Sequence, residues 1–98
     1  MDLNQLSSNA GNAEAFLKIM ANKNRLMILC TLMNEERSVS ELNQNIPLGQ
    51  SALSQHLAVL RKHNLVETRR DAQSIYYSVT DTRVKQIIEK LYEFFCDV

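Results

Sequence analysis

Leu53, Leu57 and Leu60 fall at i, i+4 and i+7, one apolar stripe along the stretch Leu48–Asn64 when it is read at about 3.6 residues per turn. Such a stripe makes the segment a helix that must pack on something. Its opposite strip is an unusual polar face. Ser51, Ser54, Gln55, Ala58 and Lys62 fall at i, i+3, i+4, i+7 and i+11, without one bulky apolar group. Short hydroxyls, a carboxamide and a methyl let a helix lie close to a second surface and still hydrogen-bond to it. The major groove of DNA suits that combination, because Gln meets adenine with two hydrogen bonds and Ser meets bases or phosphates. A solvated helix face is the plainer alternative, and the flanking sequence bears on the choice.

Upstream, Ser38 followed by Glu41 reads as a capping box, so a short helix begins there, with Val39, Leu42 and Ile46 on its apolar side. Pro47 stops it, since proline lacks the amide hydrogen and pushes Ile46 out of the helical region. Gly49 is an acceptable N-cap for the next helix, and Asn64 can close that helix in a left-handed conformation with Leu65 folding back. Two short helices joined by a turn of about four residues form a helix-turn-helix. Downstream, Val66–Arg70 and Ile75–Val79 are β-prone runs separated by Asp71-Ala-Gln-Ser74. The spacing predicts a hairpin with Ile75, Tyr77 and Val79 on one face and Tyr76 and Ser78 on the other. A hairpin directly after a reading helix is a wing, whose Arg69, Arg70 and Gln73 can reach phosphates or the minor groove, or simply be solvated.

Elsewhere the expected elements are helical. Residues 1–10 are polar and expected to be flexible; Ala13, Phe16, Leu17 and Met20 then start an amphipathic helix. Arg25–Met33 is apolar on most sides and reads as a central buried helix. Asn34–Arg37 is a polar connection. After the wing, Thr80 or Asp81 caps a last helix with Val84, Ile87, Ile88, Leu91 and Phe95 along one stripe, and Tyr92 and Phe94 outside it. Apolar groups on more than one side suit a partner surface, although the helix can also just close the core of one chain. The fold class expected is mainly α with a small β-hairpin, a winged helix-turn-helix.

A chain of 98 residues fits one domain, small enough for dimerisation to add useful stability. No segment approaches a membrane span or a signal peptide, which sets the cytoplasm as the expected location. The net charge is zero, yet residues 51–70 carry +3, against −1 for residues 1–50 and −2 for residues 71–98. The positive excess therefore lies on the reading helix and the strand after it, where phosphates would meet it. No nucleophile–base pairing or phosphate loop suggests an enzyme. His56 and His63, one heptad apart, could hold a metal, but on a helix meant for DNA that is an odd place; packing or a phosphate contact suits His56 better.

Cys30 and Cys96 are 66 positions apart, so neither a Cys-x-x-Cys nor zinc-finger spacing exists. Each can be a small buried hydrophobe; a permanent disulfide does not suit a reducing compartment, whereas a reversible dithiol does if the two helices cross. A direct disulfide needs α-carbons within about 7 Å, and each added sulfur extends the bridge by up to about 2 Å.

Gln50-Ser-Ala-Leu-Ser-Gln-His-Leu57 together with Arg69–Tyr77 resembles the ArsR-type winged-helix repressors, and Met20–Leu29 resembles their second-helix signature with Asn22-Lys23 replacing the usual His-Pro. The resemblance runs from about residue 13 to 96. It implies a homodimer joined through the first and last helices, bound to a palindromic double-stranded operator. DNA contacts are then expected from Gln50, Ser51, Ser54, Gln55, His56, Lys62, Arg69, Arg70 and Gln73. The Asp-Ala-Gln wing, with Ala72 where many relatives have glycine, and the Cys30–Cys96 pair resemble that family's dithiol branch. Its members sense reactive sulfur species or oxidants without metal or other cofactor, and some act as antirepressors. Metal-sensing members carry cysteines in the first helix of the helix-turn-helix, or Asp and His pairs on the last; Ser40–Asn45 has no cysteine, and Asp81–Phe95 no histidine.

Overall fold

A computed structural model describes residues 1–96. The elements run α1 (Leu3–Met20), α2 (Lys23–Thr31), β1 (Arg37–Ser38), α3 (Val39–Asn45), α4 (Gln50–Lys62), β2 (Glu67–Asp71), β3 (Ser74–Ser78) and α5 (Thr82–Phe95). One core holds them together. Ile28, Leu29 and Leu32 at and just after α2, Leu42 and Ile46 at α3, Leu53, Leu57 and Leu60 from α4, and Val84 and Ile88 from α5 meet there, almost wholly removed from water. Each such side chain contributes roughly 1.5–3 kcal/mol by burial.

The helix-turn-helix forms as its local chemistry dictates. The Ser38 hydroxyl accepts from the Glu41 backbone N–H at 3.2 Å, and the Glu41 carboxylate accepts from the Ser38 N–H at 2.9 Å, a reciprocal capping box. Ile46, ahead of Pro47, is extended at φ −117° and ψ 117°. Asn64 takes φ 65°, and the N–H groups of Leu65 and Asn64 return to the carbonyls of Leu60 and Arg61 at 2.9 and 3.1 Å. That is a Schellman closure, and it tucks Leu65 into the core.

Four expectations need correction. Helix α1 begins at Leu3, well before Ala13, because the Asp2 carboxylate accepts from the N–H groups of Asn4 and Gln5. This turn is made locally, by its cap, since residues 1–15 are all exposed. Helix α2 is less buried than its composition suggests: Leu26, Met27 and Met33 are half-buried and Cys30 is exposed, because one side of α2 looks outward. Asn22 caps α2 through hydrogen bonds from Asn24 and Arg25. The hairpin belongs to a three-stranded antiparallel sheet ordered β1-β3-β2. Arg37, expected in a polar connection, pairs with Tyr77, and Ser38, expected only as a helix cap, also pairs with Tyr76. Two residues are too few to leave a period-two pattern in a sequence.

Helix α5 starts at Asp81, whose carboxylate accepts from the Arg83 N–H. Val84 and Ile88 are buried and Ile87 and Leu91 pack beside them, but Phe95, expected on the same stripe, is 80% exposed at the helix end.

Candidate nucleic-acid interface

The two faces of α4 separate cleanly. Leu53, Leu57 and Leu60 lie at zero exposure, while Gln50, Ser51, Ser54, Gln55, Ala58 and Lys62 are all exposed. The buried stripe fixes the rotation of the helix, so the serine–glutamine strip is presented outward by the same packing that forms the core. Gly49 caps α4 without a side-chain hydrogen bond. First-turn N–H groups without intrahelical partners carry the positive end of the helix dipole.

The wing sits beside the start of this helix. Ser38, Val39 and Ser40 of the α3 entry, Gln50 of α4, and Gln73, Ser74 and Ile75 of the wing line one open cleft. The fold thus brings together Gln50 and Gln73, singled out separately in the sequence, and adds Ser40 and Ser74, which were not. Their only sequence signal is polarity, which most surface residues share. At the wing tip Asp71 pairs with Ser74, leaving a two-residue loop in which Ala72 takes φ 57°. Positive φ at the first loop position alone is the pattern of a type II′ turn.

His56 and Arg69 stand apart because other side chains engage them, although Arg69 is itself exposed. His56 is half-buried, and its Nδ1 accepts from Arg25 Nε at 3.3 Å; Arg25 Nη1 also donates to the Ile19 carbonyl at 3.2 Å. Arg25, unremarked in the sequence, ties α1, α2 and α4 together through this pair of bonds. Only Nε2 of His56 is then left for an outside acceptor. Arg69 is ion-paired with Glu36, 33 positions earlier, and lies over the Tyr76 ring. The hydrogen bonds to Arg69 hold the Glu36 carboxyl below its ordinary pKa. Arg61, Lys62 and Arg70 are exposed and enter no ion pair among the described residues.

The cysteines occupy a different side of the molecule. Helices α2 and α5 pack together, and a cleft between them is lined by Cys30, Met33 and Asn34 on one wall and Ile88, Glu89, Tyr92 and Glu93 on the other. Cys96 caps α5 one turn beyond Tyr92, its N–H donating to the Tyr92 carbonyl at 2.8 Å. Both are free thiols with solvent access. Packing around Cys30 pushes its thiol pKa up, and the Cys96 thiol adds to the rise. A raised pKa keeps Cys30 largely protonated near neutrality. Among the described residues no three His, Cys, Asp or Glu side chains group closely enough to hold a metal ion.

Known proteins share this architecture. The bacterial regulatory protein family arsR matches residues 22–68, which span α2 through the start of the wing. The chain is 48% identical over 96 residues to the transcriptional activator HlyU of Vibrio cholerae, covering 98% of this chain and 89% of that protein. The structure of reduced HlyU from Vibrio cholerae superposes with a TM-score of 0.88 at 47% identity, covering 95% of this chain and 98% of the other. The transcriptional repressor BigR from Xylella fastidiosa gives 0.91 at 40% identity, with both chains fully covered. One of these relatives is called an activator and the other a repressor, on one shared fold. With the winged helix-turn-helix, the outward serine–glutamine strip and these relatives together, the chain belongs to the arsR family of bacterial DNA-binding transcriptional regulators.

Proposed function

We propose that the chain acts in the cytoplasm as a homodimer that reads a palindromic operator with two copies of α4, and that the Cys30–Cys96 pair switches its operator affinity. The observation that carries the reading is the two-faced α4: a fully buried leucine stripe behind an exposed strip of Ser51, Ser54, Gln55, Ala58 and Lys62. Gln55 is the base-reading candidate, with Ser51 and Ser54 beside it. Gln50 and Gln73 flank the cleft at the foot of the wing, and Lys62 and Arg70 supply charge for phosphates. His56 has only Nε2 to offer DNA, since its Nδ1 accepts from Arg25.

Dimerisation is supported by apolar groups left exposed on two elements: Leu3, Leu6 and Leu17 on α1, and Tyr92, Phe94 and Phe95 on α5. The switch is supported by two free, solvent-reached thiols on helices that pack together. Joining them strains or shifts α2 against α5, which alters how two reading helices are spaced in the dimer. The deciding experiment replaces Gln55 with alanine. On a duplex enriched by the native protein from a random pool, affinity is expected to fall by about thirtyfold or more, from loss of one base contact of about 1–3 kcal/mol in each of two protomers. The dimer must persist by size-exclusion chromatography. Unchanged affinity would favour a winged helix that engages protein alone.

A further inference from the structure

Strand β2 carries two adjacent arginines that the fold treats differently. Arg70 is exposed and outside every ion pair among the described residues. Arg69 is held from several directions. Its Nε donates to both carboxylate oxygens of Glu36, at 3.2 and 3.1 Å, and its Nη2 donates to Oε1 of the same group. Its guanidinium lies 4.9 Å from the centroid of Tyr76, its cross-strand partner in the sheet register. Asp71 adds a carboxylate oxygen 3.9 Å from Nη1. Glu36 itself sits immediately before Arg37, which pairs with Tyr77, so the sheet also fixes the backbone beside the carboxylate. A planar guanidinium matched to a carboxylate must give up that fit before it can turn its N–H groups to a phosphate.

We propose that Glu36 is a specificity-determining residue of the DNA interface: it withholds Arg69 from the phosphates, so that Arg70 is the wing's phosphate-contacting cation. The proposal rests on the DNA-reading role above. Phosphate contacts strengthen binding to every duplex alike, whereas base contacts discriminate. Limiting the wing to one free arginine therefore lowers background binding and leaves the choice of site to α4.

The test uses two probes, the duplex enriched by the native protein from a random-sequence pool and a shuffled duplex of the same composition. Affinities are read by fluorescence anisotropy over a series of KCl concentrations. Glu36→Gln is expected to tighten the shuffled duplex about fivefold and to steepen the log–log salt slope by about one unit per wing. Arg70→Ala flattens that slope by about one unit per wing, while Arg69→Ala leaves the slope at its native value and weakens both duplexes alike, because the Glu36 carboxylate is left uncompensated. The double variant Glu36→Gln/Arg69→Ala returns to the native slope, which a purely structural role for Glu36 would not produce. The proposal is overturned if Arg69→Ala flattens the slope as Arg70→Ala does. That arm decides even where Glu36→Gln fails to fold. A folded native protein that enriches no sequence at all would instead sink the DNA-reading role, and this proposal with it.

Discussion

Ala72 accepts a backbone conformation that most residues avoid. At φ 57° its Cβ crowds the neighbouring carbonyl, a cost of about 1–2 kcal/mol that glycine would not bear. Part of that gain is offset because glycine loses more freedom on folding. Ala72→Gly is therefore expected to stabilise the protein by about 0.5–1 kcal/mol, read as a higher denaturant midpoint at constant slope. At Cys30 the raised thiol pKa disfavours the thiolate at neutral pH, which slows attack on any electrophile. A persulfide can pass its outer sulfur to each cysteine, releasing a thiolate each time, and the two protein persulfides then join as a trisulfide with loss of hydrogen sulfide. Peroxide supplies no sulfur: it oxidises one thiol to a sulfenic acid, which the other displaces with loss of water, so the pair loses two hydrogens in all and forms a direct disulfide. Because the longer bridge spans a wider gap, intact-mass spectra are expected to show added sulfur after persulfide treatment, and a slower reaction with peroxide. Loss of two hydrogens with both reagents, and no sulfur gained, would contradict this.

Among the elements, α3 and α5 depend on carboxylates at their starts. Glu41 has its pKa lowered by hydrogen bonds from the Ser38 backbone and hydroxyl; Asp81 has its own lowered by the Arg83 side chain and then by backbone N–H groups. Each binds a proton less readily in the folded chain than in the unfolded one. Their contribution is thus complete above the ordinary carboxylate range and is lost as pH falls through the folded values. Melting temperature should stay flat near neutrality and decline under acid, and Glu41→Gln should shrink that decline. Ser38→Ala removes the other half of the capping box and is expected to cost about 1 kcal/mol, measured by chemical denaturation. A loss much smaller than this would mean that β1, which shares Ser38, fixes the turn by itself.

For the whole molecule, the surface that stands out is apolar. Leu17 is 52% exposed and Phe95 80% exposed, on two helices that also carry Leu3, Leu6, Tyr92 and Phe94 outward. Neither Leu17 nor Phe95 belongs to the buried core, so Leu17→Glu with Phe95→Glu should leave the protomer folded by circular dichroism. Burying two carboxylates in an apolar contact is costly. Sedimentation of the double variant is therefore expected to give a monomer, with operator binding lost along with the second reading helix. A dimer that survives both substitutions would place the partner surface elsewhere.

Periodicity and caps were legible without coordinates. The leucine stripe of α4, the Ser38–Glu41 box, the Pro47 stop and the Asn64 closure all act within a few residues, where neighbours along the chain are neighbours in space. Even the exposed side of α4 followed, because a helix that buries one stripe must show the other. The pairing of β1 with β3, the bond from Arg25 to His56 and the hold of Glu36 on Arg69 had no such trace. They join residues far apart in sequence, and nothing local distinguishes an arginine that will meet a carboxylate from one left in water. The chain's own pattern determined which helix could read DNA; only the packed fold decided which cations remained free to help it.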